Sequence, residues 1–156
     1  MVMHDSIALI EKLNKDHEGI RGYVNIMLSE LKDWQNNSVN LHQISGAELR
    51  RLNQKYLNIR QTAGYLEEGL QRHWEIEESQ LPSLIGTPLI EALQIEHHEI
   101  LKQLKEVNTI LINSSLEDFS AKLIQLNALA THLCNLISDH EMKESIILQL
   151  LKKRFE

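Results

Sequence analysis

The chain is poor in the residues that make turns, cross-links and basic surfaces. Its 156 residues include one cysteine, two prolines and six glycines, and aromatic residues make up 4%. A single cysteine, Cys134, excludes an internal disulfide, which suits a reducing compartment such as the cytoplasm. So few Pro, Gly and aromatic residues argue against an all-β chain with its many turns. Lys and Arg number 16 against 22 Asp and Glu, a formal charge of -6, and no basic run occurs. This excludes a binder of phosphate backbones, whose affinity depends on clustered cations. No uninterrupted apolar run approaches membrane-spanning length, and Met-Val-Met-His-Asp is not followed by a long apolar stretch. The expectation is a cytoplasmic protein that engages neither nucleic acid nor membrane. With 42% hydrophobic and 24% charged residues, its length suits one domain over residues 1–156.

What the chain does have is helical periodicity, with apolar residues recurring in alternating steps of three and four. The first helix is expected to begin after Asp5 or Ser6 and to carry Ile10, Leu13, His17, Ile20, Val24, Met27 and Leu31 on one stripe. Residues 35–46 lack that rhythm and read as a loop. Ser45 and Glu48 have capping-box spacing for a second helix, whose stripe is Leu49, Leu52, Tyr56, Ile59, Ala63, Leu66, Leu70, His73 and Glu77. Pro82, Gly86 and Pro88 mark a short connection, with Thr87 as N-cap of a third helix carrying Ile90, Leu93, His97, Ile100, Leu104, Val107 and Leu111. After Asn113-Ser-Ser115, with Ser115 and Asp118 as cap, the fourth stripe runs Phe119, Leu123, Leu126, Ala130, Leu133, Ile137, His140, Glu144, Ile147 and Leu151. The fold class expected is all-α, an up-down-up-down antiparallel four-helix bundle.

Six residues on these stripes are metal donors: His17, His73, Glu77, His97, His140 and Glu144. A histidine and a carboxylate four residues apart share one helix face a turn apart, so each pair can hold an ion. At 1.5 Å per residue, His17 lies roughly 16 Å into the first helix and His97 roughly 13 Å into the third. The two His/Glu pairs lie roughly 5 to 20 Å from the ends of the second and fourth, so all six fall in one layer. The segments 70–84 and 137–151 also align with each other, which gives the halves a pseudo-twofold relation matched by a site for two ions. Buried carboxylates and imidazoles need a compensating partner. Nitrogen and oxygen donors without thiolate suit iron, manganese or zinc. With two histidines per ion and both glutamates bridging, coordination positions stay open for a diatomic molecule, peroxide or water.

Asp16-His17, His73-Trp-Glu-Ile-Glu77-Glu78 followed by Leu81-Pro82, Glu96-His97-His98-Glu99, and His140 with Glu144 together resemble the hemerythrin-like, or HHE cation-binding, domains, over almost the whole chain. The resemblance implies a four-helix bundle holding two non-haem iron ions, bridged by two carboxylates and an oxo or hydroxo group. By it, His17, His73, His97 and His140 are terminal ligands, and Glu77 and Glu144 are bridges. Two departures point away from reversible oxygen transport. Leu101 stands where oxygen carriers have a further ligand histidine, and Glu144 lies four residues after His140 where they have an aspartate five on. Members similar to this pattern sense oxygen, nitric oxide or iron, or repair iron–sulfur clusters. The function expected is therefore small-molecule binding or sensing, with a di-iron enzyme or an iron-handling protein as the alternatives. Of the other histidines, His42 and His132 read as surface residues, and His4 and His98 are the reserve candidates for a further ligand. Trp74 reads equally as a screen over the centre or as packing, Tyr56 as core, and Glu78 and Glu141 as solvated, with Glu78 a lesser ligand candidate.

Overall fold

The computed structural model describes residues 2–36 and 44–156, and every element within them is a helix. Four are long: α1 (Val2–Asn36), α2 (Gly46–Gln80), α4 (Thr87–Asn113) and α6 (Leu123–Phe155). Two are short: α3 (Pro82–Ile85) and α5 (Leu116–Ala121). The expected His42 loop lies mostly outside the described residues. Helix α1 packs on α2 and α6, and α4 packs on the same two, so the long helices close a ring. Near the end of α1, Glu30 and Asp33 meet Lys55 near the start of α2, whereas His17 meets His73 towards its end. Likewise Leu31 of α1 accepts from Asn127 early in α6, and His17 meets Glu144 late in it.

Several boundaries differ from the sequence expectation, each for a local reason. Helix α1 starts at Val2: Ser6 is buried inside the helix rather than capping it, and Asp5 lies in the first turn, where a carboxylate favours the helix dipole. Ser45 does cap α2, accepting from the Glu48 N–H at 3.2 Å. The cap of α4 is Gly86, not Thr87. Its φ of 85° is open to glycine at little steric cost, and it lets the chain turn from α3 directly into Thr87 and Pro88. The fourth stripe is split. Ser115 and Asp118 form a full capping box on α5, which stops at Lys122 before α6 begins. Phe119 anchors this corner, fully buried edge-on against Trp34 and Tyr56 at 4.8 and 5.0 Å.

The stripes bury the residues expected, with two exceptions. Leu49, on the first turn of α2, is exposed, and Leu148 is buried in place of the half-buried Ile147. The second shift follows from helix geometry, because an average step of 3.5 drifts against 3.6 residues per turn, and α6 corrects it by taking two steps of four after His140.

The apolar core is divided. A larger cluster runs from Ile20 and Val24 through Leu66, Leu70 and Ile100 to Leu133 and Ile137. A smaller one holds Ile10, Leu13, Leu81, Ile90, Leu93, Leu148 and Leu151. Between them on the long helices lie the six candidate metal donors, together with the buried Glu141 and the Trp74 ring at the edge of the larger cluster. The fold thus presents a polar layer sealed above and below by hydrocarbon.

Candidate metal centre

All six donors predicted from the sequence meet in that layer, and all are buried. They form two groups that share Glu77. His17, His73, Glu77 and Glu144 place ligand atoms within 4.8 Å of one another, and so do Glu77, His97 and His140. The histidines pair tip to tip, with Nε2 of His17 3.0 Å from that of His73, and Nε2 of His97 3.1 Å from that of His140. The glutamates span both pairs. Glu77 turns Oε1 to His73 at 2.5 Å and Oε2 to His97 at 3.1 Å. Glu144 turns Oε1 to His17 at 3.0 Å and His73 at 3.3 Å, and Oε2 to His140 at 3.3 Å.

The outer faces of three imidazoles are fixed by carboxylates. His73 Nδ1–H donates to Asp16 at 3.3 Å, His97 Nδ1–H to Glu78 at 2.9 Å, and His140 Nδ1–H to Glu96 at 3.2 Å. A proton on Nδ1 leaves the Nε2 lone pair aimed at the centre, the arrangement that orients metal-binding histidines. Glu96 is itself held by Lys143 at 2.6 Å, and with His140 this keeps its carboxyl below the usual range against a burial effect in the other direction. Glu78 is therefore not simply solvated: it is a partner of His97. These three carboxylates adjoin candidate donors in the sequence, but that position alone does not separate a partner from a solvated residue.

This donor set fits a cation. Imidazole lone pairs and carboxylate oxygens converge, and none of the four oxygens of Glu77 and Glu144 has a hydrogen-bond partner of good geometry despite complete burial. Acceptors facing acceptors repel unless a positive charge lies between them. Without metal, protons take that role. Burial disfavours charge on His73, but the close contacts and negative charges of Glu144 and Glu77 outweigh it and raise its pKa to about 10. His140 is raised in the same way by Glu144 and Glu96, and contacts with Glu77 and the histidines hold Glu144 low against its burial.

A family model of the hemerythrin HHE cation-binding domain matches residues 8–151. The chain belongs to that family. No curated protein and no solved structure matches it. For this hemerythrin-family chain, the reserve histidines stay outside the layer: His4 and His98 are exposed, and His98 Nδ1–H donates to the Gln94 carbonyl at 2.9 Å; His132 is exposed, as expected of a surface residue. Leu101, a turn beyond His97, packs partly buried against the larger core. Trp74 is a lid on one side, stacked on His97 at 4.5 Å and 15° and edge-on to His140 at 6.5 Å.

One correction concerns Glu141, expected in solvent. It is 5% exposed, its Oε1 has no hydrogen-bond partner, and burial raises its carboxyl pKa against the pull of His17 and Arg21. The stripe pattern missed it because it lies one position beyond His140, off the seam but still between α6 and α1.

A cleft of about 580 Å³ between α1 and α2 reaches the layer. Its wall includes His73, the small residues Gly19 and Gly69, and the cations Lys12, Lys15 and Arg72. A Cβ added at either glycine would meet nothing within 4 Å, so the opening extends over both positions. Another cleft, about 650 Å³, runs past His98 and Leu101 and includes none of the six donors. Among the described residues no helix is long and apolar enough to cross a membrane.

Proposed function

We propose that this is a non-haem di-iron protein that binds or senses a small molecule such as oxygen, nitric oxide or peroxide. The observation that carries this reading is the division of each glutamate between two histidine pairs, one oxygen to each side. His17 and His73 hold one ion, His97 and His140 the other, and Glu77 and Glu144 bridge them, with an oxo or hydroxo group completing the link. Iron is preferred to manganese or zinc because the family favours it, while the mixed imidazole–carboxylate set suits all three. When bound, such a pair supplies open positions and redox change for a small ligand. The protein's own part is to aim the four Nε2 lone pairs, exclude bulk water with Trp74 and the two apolar clusters, and admit a ligand along the glycine-lined cleft beside His73.

Residues 1–156 then act as one domain, an up-down-up-down antiparallel bundle of the four long helices, a direction supported by the paired contacts of α1 with α2 and α6. The protein works in the cytoplasm, with no nucleic-acid partner. A di-iron enzyme of peroxidase-like, oxidase or nitric-oxide-reducing type is the second reading, favoured by the same cleft, which is large for a diatomic molecule. An iron-handling or repair role is the third.

Metal analysis and optical spectra of protein purified in air test the proposal. Two irons per chain, with near-ultraviolet bands that shift on adding azide or nitric oxide, are expected. Stoichiometric zinc with no response to either would overturn it. Turnover of peroxide or nitric oxide would favour the enzyme over the sensor.

A further inference from the structure

The two halves of the site are related by the aligned segments around His73 and His140, and they differ at the residue that follows each histidine. In one half it is Trp74, whose ring covers His97 on the opposite pair. In the other it is Glu141, and the charged groups it feels most strongly are His17 and Arg21, then Glu144 and His73. Both side chains are 5% exposed. Equivalent positions therefore put an aromatic wall beside one histidine pair and a carboxylate beside the other.

No hydrogen bond gives that carboxylate's inner oxygen a structural role. Its buried Oε1 lacks a hydrogen-bond partner, and no salt bridge joins it to Arg21, which is itself exposed. A buried acid left in this state is costly, so a carboxylate kept beside His17, His73 and Glu144 has a use for its oxygen. The requirement is plain from the donor count. Each pair offers its ion two imidazoles and one oxygen from each bridge, and a hard cation such as iron accepts more oxygen than that.

We propose that Glu141 is a further oxygen ligand, serving the ion held by His17 and His73, so that the two metal positions are chemically unequal. This rests on the two-ion reading above. Glu141 stands outside the cluster that His17, His73, Glu77 and Glu144 form. Ligation draws it in by a change of rotamer, while Trp74 bars any counterpart from the His97 and His140 side. The Glu141 half is then the better-filled, tighter-binding one.

The test is a cobalt(II) titration of chelator-stripped wild type and Glu141→Gln, with binding followed by competition and by the visible cobalt spectrum. Gln keeps the shape and removes the charge. One of the two binding steps should weaken tenfold or more, with the other within about threefold, and the cobalt band of the affected step should change in intensity as a ligand is lost. Glu141→Asp, which keeps the charge on a shorter arm, should weaken the same step by less. Unchanged steps in both variants, or equal weakening of both steps, would overturn the assignment. Wild type that takes up fewer than two ions would instead remove the two-ion reading and this ligand with it.

Discussion

At the scale of single residues, the centre depends on what stands behind each ligand as much as on the ligand. Glu78 accepts from His97 Nδ1, and its loss frees the ring to rotate and to protonate at Nε2. Glu78→Ala should therefore lower metal affinity about 10- to 100-fold with little change in the fold, measured by competition against a chelator of known affinity. Affinity within twofold of wild type would show that His97 is fixed by packing under Trp74 instead. Cys134 illustrates the opposite case, a reactive residue type made inert by position. It is buried, and burial pushes its thiol up to about 12. The native protein should react with a disulfide reagent at near-neutral pH far more slowly than the unfolded chain, because the thiolate is the attacking form. Equal rates in native buffer and in denaturant would contradict its burial.

At the scale of the helix, the same stripe carries packing and chemistry. The convergence of the six candidate donors was legible in the sequence because each replaces an apolar residue on a seam that is otherwise regular, so face and depth followed from spacing alone. The flanking residues were not legible. Glu78, Glu96, Asp16 and Glu141 sit one position off the seam, where sequence cannot tell a solvated carboxylate from one folded under a neighbouring helix. Helix ends were harder still, because they depend on tertiary partners. The break at Lys122 falls at the corner where Phe119 meets Trp34 and Tyr56, and nothing local to residues 116–124 announces it. Tyr56 adds a tie between helices, donating its hydroxyl to the carbonyls of Leu111 and Ser114 at the end of α4. Those carbonyls have no partner within their own helix. Tyr56→Phe should destabilise the protein by about 1 to 3 kcal/mol in urea unfolding while metal content stays unchanged, since roughly 25 Å of helix separates it from His73. A drop in bound metal would mean that the far end of the bundle governs the centre.

At the scale of the whole molecule, the polar layer interrupts the core at mid-height, so the bundle is stabilised there by whatever positive charge the layer contains. In the metal-free protein that charge is protons. His73 is raised to about 10 from an ordinary 6.5, so its contribution is complete below about 6.5 and is lost as pH climbs towards 10. Metal binding has the opposite dependence, because protons compete for the same imidazoles and are released when an ion enters. Stabilisation by a ligand grows with its affinity, reaching about 2.7 kcal/mol at a hundredfold excess over Kd. The gap in melting temperature between metal-loaded and metal-free protein should therefore widen as pH rises from about 6.5 to 8.5, mainly through a falling melting point of the metal-free form. Glu77→Gln with Glu144→Gln should abolish both effects. Without the two buried carboxylates to hold its proton, His73 returns towards its ordinary pKa, the metal-free melting point loses most of its pH dependence, and added metal no longer raises it. Thermal melts of the two proteins, each with and without metal across that range, provide the check. A gap that stays constant or narrows in the wild type would mean that the layer is stabilised by packing rather than by the cation it is built to hold.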